Sequence, residues 1–199
     1  MSIPRFILFL CCAAAFPAFA AELANPSFED PTDPDSLIDH RAAGWGSWGG
    51  WFNRETGWAP VRTGSAIMGY HHFRIGAPDS SGIYQDVQDI PAGTRCVFNI
   101  FACKDSGTQL ERIEVRLETC GGSAPFALET YSPSDLKSGR WSELRVEGVA
   151  PLEGIRVVIA VFPKLKDPRN GSLKFDDARL ITGGEQAHAA ANNTIRERR

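Results

Sequence analysis

The side chains best suited to ligand recognition are tryptophans gathered in one short segment of the chain. Four of the five tryptophans lie between Trp45 and Trp58, with Trp48 and Trp51 between them, and glycines occupy positions 44, 46, 49, 50 and 57. An indole offers a flat apolar face for a sugar ring and an N–H donor at its edge. We expect Trp45 to plug one end of the fold, whereas Trp48, Trp51 and Trp58 are candidates for either a binding platform or a plug.

Polar side chains near this segment could complete a binding surface. The candidate hydroxyl-binding residues are Asn53, Arg54 and Gln85, and further contacts are expected from Tyr70, His72 and Phe73. The small neighbours of Trp48 and Trp51 leave little local side chain to cover two indoles. We therefore predict that both are partly exposed and line one concave surface with Tyr70, His72 or Phe73.

An acidic pair near the end of the chain breaks a strand pattern. Leu173 and Phe175 share one face, but Ala178 and Leu180 have the opposite parity. A β-bulge at Asp176-Asp177 would reconcile the two halves, because one extra residue restores inward pointing. Adjacent carboxylates at a bulge suggest a cation site, and a solvated acidic pair on an edge strand is the alternative.

Catalytic signatures are missing from the sequence. It contains no Gly-x-Ser-x-Gly, no His-Glu-x-x-His and no Cys/His nucleophile constellation. The glycines at 44, 46 and 49 match a dinucleotide fingerprint only literally, since no βαβ unit surrounds them. A net charge of −3 argues against nucleic-acid binding. We therefore predict no enzyme, although a two-carboxylate glycosidase stays open because its acids can lie anywhere in the chain.

Alternating and fully apolar segments predict strands throughout the body of the chain. Ile113, Val115 and Leu117 alternate with charged residues, and the apolar run 96–102 should form a central strand. The other predicted strands are 66–70, 83–87, 126–131, 142–147, 155–161 and 173–181. Eight or nine short strands separated by glycine- and proline-rich turns predict an all-β fold, an antiparallel two-sheet jelly-roll β-sandwich.

Both ends of the chain differ in composition from the body. Residues 1–20 have the three regions of a secretory signal peptide: Arg5, an apolar run, and small residues at 18 and 20. A cleaved signal peptide predicts a secreted, periplasmic or cell-surface protein with no integral membrane span. The folded domain is then expected over residues 21–182. Residues 183–199 are polar and predicted to be disordered. Cleavage of the signal peptide would leave Cys96, Cys103 and Cys120 in the exported chain. We expect either a Cys96–Cys120 disulfide with one thiol left over, or three buried thiols.

Five short motifs in order carry a family resemblance that spans roughly residues 22–182. They are Ala24-Asn-Pro-Ser-Phe-Glu29, Arg62-Thr-Gly-Ser-Ala66, Gly82-Ile-Tyr-Gln-Asp-Val87, Pro91-Ala-Gly-Thr94 and Lys174-Phe-Asp-Asp-Ala-Arg-Leu180. This order resembles the secreted carbohydrate-binding modules of families four, nine and twenty-two. Cys96 departs from it, because the family usually carries an aromatic residue there.

The resemblance implies a jelly roll with a structural Ca²⁺ ion that joins the two ends of the domain. Glu29 would supply one carboxylate and Asp177 or Asp176 another, while carbonyls near Arg62–Ser65 would complete the shell. Such a set suits calcium, which takes six to eight oxygen ligands.

The sequence therefore predicts an exported, monomeric, non-catalytic module that binds a glycan or polysaccharide through aromatic side chains. The alternative is a structural or adhesion β-sandwich of the cell surface or matrix that binds no sugar, since the chain contains no enzyme domain for such a module to target.

Overall fold

The computed structural model describes residues 22–34, 41–57, 60–71, 80–164 and 172–183, and these segments contain ten β-strands. The strands are β1 (Gly46–Trp48), β2 (Phe52–Thr56), β3 (Ala66–His71), β4 (Ser81–Val87), β5 (Arg95–Lys104), β6 (Leu110–Thr119), β7 (Ala127–Tyr131), β8 (Ser142–Val149), β9 (Ile155–Pro163) and β10 (Ser172–Thr182). The predicted signal peptide, most of the predicted tail, Trp58, His72 and Phe73 lie outside the described residues.

The strands form two antiparallel sheets of five, which confirms the predicted β-sandwich. Sheet I has the order β1-β4-β9-β6-β7, and sheet II has the order β2-β3-β10-β5-β8. The glycines of the β1–β2 turn, Gly49 and Gly50, both have positive φ angles, which a residue without Cβ adopts freely. This turn carries the chain from one sheet to the other, and it thereby separates Trp48 from Trp51.

The inner faces of the sheets form one continuous apolar core. Phe98, Ile100 and Ala102 of β5 point inward and are fully buried, as are Ile113, Val115 and Leu117 of β6. Because side chains alternate along a strand, the residues between them point away from the core. Val97 and Ile181 accordingly form a separate small cluster on the outer side of sheet II.

The predicted bulge in the last strand is confirmed. The pairing of β10 with β5 shifts register between Asp176 and Arg179, and Asp177 has φ of 50°. Ala178 and Leu180 consequently return to the main core, alongside Leu173 and Phe175.

The segment before β1 closes one end of the sandwich. Trp45 is 7% exposed, its ring centroid lies 5.1 Å from that of Phe28, and its Nε1 donates to Asn25 O at 3.1 Å. The predicted plug role of Trp45 is thus confirmed.

The three cysteines of the described residues are free thiols. Burial raises the pKa of Cys96 to about 11, and burial also raises the pKa values of Cys103 and Cys120. Within the described residues, no helix is long and apolar enough to cross a membrane.

Candidate functional site

The two tryptophans expected to share a platform lie on different sheets. Trp48 ends β1 and spreads its ring over Gly82 of β4, where a Cβ would come within 1.9 Å of the indole. Trp51 directly precedes β2 and packs against the main core. Both side chains are half-buried, but they lie in different surroundings because they belong to different sheets.

Three other residues that were predicted to contact a ligand make contacts within the protein instead, which corrects the sequence-based assignment. Tyr70 is fully buried between the sheets beside Phe52, since alternation turns it inward. Gln85 is 6% exposed, and its amide bonds the backbone of Ala24 and Gly44. Arg54 donates to the carbonyls of Phe28 and Glu29, so it anchors the amino-terminal segment.

The predicted calcium ligands form two separate groups. The Glu29 carboxylate accepts bonds from Ser65 N at 3.0 Å, Ser65 Oγ at 2.8 Å and Ala66 N at 3.1 Å. Asp176 accepts from the backbone N–H groups of Arg62 and Thr63 at 3.0 and 3.1 Å. The described residues contain no group of three or more acidic, histidine or cysteine side chains placed to hold a metal ion.

The two carboxylates at the bulge, Asp176 and Asp177, nevertheless lie in different electrostatic environments. Burial, together with the neighbouring carboxylate of Asp177, raises the pKa of Asp176 to about 6, although three backbone N–H bonds oppose this. Asp177 accepts bonds from Ser27 Oγ at 2.7 Å and Thr63 Oγ1 at 2.5 Å and pairs with Arg62. Two carboxylates and two hydroxyls therefore converge here, and oxygen atoms are the donors that Ca²⁺ prefers.

The outer face of sheet II carries a second polar region, which sequence reasoning did not identify as a site. Register places Asn53, Gly69, Lys174 and Cys103 in one row across β2, β3, β10 and β5. The adjacent rows carry Glu55, Ile67, Asp176, Phe101 and Glu143, and then Arg179, Asn99 and Arg145. Because several of these side chains are buried although they face away from the core, this face is more enclosed than an ordinary solvated sheet surface.

Four buried polar atoms on this face have no hydrogen-bond partner among the described residues. Two are acceptors, Glu55 Oε2 and Asn99 Oδ1, and two are donors, Arg145 Nε and Trp141 Nε1. Trp141 directly precedes β8, and strand alternation places its side chain on the side of Glu143 and Arg145. Native proteins leave few such groups unpaired, since each costs free energy when it is removed from water.

Charged pairs occupy the end of the same face. Lys174 is 3% exposed, and its Nζ lies 2.6 Å from Asp105 Oδ1. Desolvation raises the pKa of Asp105, but hydrogen bonds from Lys174 and Ser172 and the charge of Lys174 outweigh it and lower the pKa overall. Next to this pair, His71 Nε2 bonds Glu55 Oε1.

The outer face of sheet I is already paired internally. Tyr84 lies beside Trp48, with 6.4 Å between ring centroids, and the Arg156 guanidinium lies 4.1 Å from the Tyr84 ring. Arg156 also pairs with Asp86 at 2.7 Å, and Arg112 stacks 3.5 Å from the ring centroid of Phe162. These aromatic faces therefore have partners within the protein, as does Phe101 on the outer face of sheet II, where Arg62 lies 3.5 Å from the ring centroid.

The sequence matches no protein-family model and no curated protein sequence. Among solved structures, the apo form of a cyclase from Fischerella sp. has a TM-score of 0.61 and 13% identity, covering 83% of this chain and 96% of that one. The module TmCBM61, in complex with β-1,4-galactotriose, has a TM-score of 0.54 and 16% identity over 81% and 97% of the two chains.

A third neighbour is the CBM22-1–GH10 part of a Clostridium thermocellum endo-1,4-β-D-xylanase in complex with xylohexaose. It has a TM-score of 0.53 and 16% identity, covering 84% of this chain and 29% of that one. At these identities the likeness concerns the fold. The chain therefore has the β-sandwich fold found in carbohydrate-binding modules, as its sequence motifs predicted.

Proposed function

We propose that the protein is a non-catalytic module that binds a glycan on the outer face of sheet II. The observation that carries this proposal is the set of four buried, unpaired polar atoms: Glu55 Oε2, Asn99 Oδ1, Arg145 Nε and Trp141 Nε1. Two of them accept hydrogen bonds and two donate. A sugar hydroxyl both donates and accepts, so a polyhydroxylated ligand can satisfy all four atoms with one kind of functional group.

The spacing of these atoms supports an oligosaccharide as the ligand. Glu55 lies on edge strand β2 and Arg145 on the opposite edge strand β8, four strand spacings apart. At about 4.8 Å per spacing this is roughly 19 Å, which exceeds a single sugar ring. Trp141 at the β8 edge would supply an indole beside the chain. This assignment moves the proposed platform from Trp48 and Trp51 to Trp141.

The module would act outside the cytoplasm, as the predicted signal peptide implies. The proposal assigns no catalytic step to it. The cyclase neighbour shares the fold, and fold alone does not carry an activity.

Calorimetric titration of the exported protein with β-1,4-galactotriose, xylohexaose and longer neutral oligosaccharides tests this function. We expect saturable binding that strengthens with chain length until the ligand covers the face, together with a change in tryptophan fluorescence. Binding equal for mono- and oligosaccharides would contradict the spanning site. No binding to any glycan on a broad array would favour the structural or adhesion domain.

We also propose that a Ca²⁺ ion stabilises the junction of Asp176 and Asp177 with the amino-terminal segment. The cation would offset the burial cost of the Asp176 carboxylate, whose pKa is raised to about 6. Ser27 and Thr63, which already bond Asp177, would contribute hydroxyl oxygens.

Removal of calcium is expected to lower the melting temperature, because an ion that binds only the folded state stabilises it by mass action. At one hundred times Kd the effect would be about 2.7 kcal/mol. The measurement is thermal unfolding in EGTA and in excess Ca²⁺. Asp177→Asn should abolish the difference, whereas the control Asp86→Asn, on sheet I, should retain it. Superimposable melting curves of the unaltered protein would contradict the ion site.

A further inference from the structure

Glu55 is held in a defined position on the outer face of sheet II. Its side chain crosses Gly69 of the neighbouring strand, where a Cβ would lie 2.6 Å from the carboxyl carbon and from Oε1. The Glu55 side chain is 11% exposed and that of His71 is 12% exposed. Gly69 therefore leaves the space in which this carboxylate lies, and His71 fixes one of its two oxygens.

The second oxygen of this carboxylate is not bonded within the described part of the protein. Glu55 Oε2 is buried and has no hydrogen-bond partner in the described part of the chain. The nearest lysine in the register, Lys174, pairs with Asp105 instead. Among the described residues, no lysine or arginine forms a salt bridge with Glu55. The oxygen consequently attracts a hydrogen-bond donor and repels an anion.

We propose that Glu55 determines the specificity of the glycan site by selecting a non-anionic sugar that donates a hydrogen bond to Oε2. This inference rests on the proposed function and extends it to the charge class of the ligand. The donor is a hydroxyl of a neutral sugar or the ammonium of an amino sugar. A uronic acid or sulfated sugar at this position is excluded, because its negative charge would lie beside the unpaired oxygen of the Glu55 carboxylate.

The size of the effect follows from the strength of hydrogen bonds to charged groups. Loss of one such bond in a buried site reduces affinity by about tenfold or more. We expect the unaltered protein to bind neutral oligosaccharides at least about tenfold more tightly than acidic ones of equal length.

The test compares four proteins by calorimetry: the unaltered chain, Glu55→Gln, Gly69→Ala and the control Glu129→Gln. Glu129 is an exposed carboxylate on β7 of sheet I, away from the proposed site. The probes are xylohexaose, a hexamer of glucosamine and a hexamer of galacturonic acid. Thermal unfolding verifies that each variant is folded.

Glu55→Gln should reduce the ratio of neutral to acidic affinity toward one, since the glutamine amide can donate to a carboxylate. Gly69→Ala should do likewise by displacing Glu55, and Glu129→Gln should leave the ratio unchanged. A larger loss for the glucosamine hexamer would identify an ammonium as the donor.

Two results would overturn the inference alone: equal binding of neutral and acidic hexamers by the unaltered protein, or an unchanged ratio in folded Glu55→Gln. Failure of the unaltered protein to bind any of the probes or any array glycan would overturn the proposed function as well, so the two failures can be distinguished.

Discussion

Trp45→Ala is expected to lower the free energy of unfolding by about 3–5 kcal/mol, the range measured for truncation of large buried aromatic side chains. Trp45 is 7% exposed, packs on Phe28 and bonds the backbone of Asn25. The substitution would remove the indole that packs on Phe28 and leave a cavity in its place. It would also leave the Asn25 carbonyl without its indole donor.

Trp48→Ala provides the matched control for this prediction. Trp48 is half-buried and lies on the outer face of sheet I over Gly82, outside the main core. Its truncation should therefore cost about 1 kcal/mol, the typical effect of a point substitution. Urea denaturation followed by circular dichroism measures both values. Equal costs for the two variants, or a larger cost for Trp48→Ala, would show that the two tryptophans do not divide into plug and surface residues.

This division explains what the sequence could and could not predict about the tryptophan segment. Its composition indicates large aromatic side chains on a flexible backbone, and it does not say to which sheet each belongs. Strands β1 and β2 are too short and too rich in glycine and polar residues for a period-two pattern to be visible. Without those two strands, the separation of Trp48 from Trp51 by the Gly49–Gly50 turn could not be anticipated.

The other eight strands could be predicted from their apolar residues, most clearly where these alternate with polar ones. In β6, Ile113, Val115 and Leu117 alternate with charged residues, and all three lie in the core. The bulge at Asp176-Asp177 was predictable for the same reason, since Ala178 and Leu180 must return to the core. Local patterning decides such features because burial of apolar surface dominates the free energy of folding.

The proposed site on sheet II was not predictable in this way. Asn53, Glu55 and Lys174 are polar residues on strands, and in a sequence such residues look like an ordinary solvated face. One signal was present: between Cys96 and Cys103, β5 is apolar on both faces except at Asn99. A lone amide on the outward side of a central strand suggests a covered polar position. The residues opposite Asn99 on the neighbouring strands, Arg145 and Arg179, are far away in sequence, so only the sheet order brings the three together.

Asn99→Leu is expected to weaken glycan binding by more than about tenfold while leaving the fold as stable as before, or more stable. Asn99 is 7% exposed, and its Oδ1 has no hydrogen-bond partner among the described residues. In the absence of ligand the amide oxygen is therefore buried at a cost, which an apolar side chain of similar size would remove. With ligand bound, the same oxygen would accept a hydroxyl hydrogen bond that leucine cannot replace.

The opposite signs of the two effects make this prediction specific. Replacing a residue that serves only the fold destabilises the protein, and binding falls as a consequence. Replacing a residue kept for recognition reduces the affinity alone, because buried unpaired polar groups are tolerated where a ligand supplies their hydrogen-bond partners. Chemical denaturation and calorimetric titration with xylohexaose provide the two measurements, and Glu129→Gln, on sheet I, is again the control. If Asn99→Leu unfolds readily, or if it binds xylohexaose as tightly as the unaltered protein, then the amide at position 99 serves the sandwich and not the glycan.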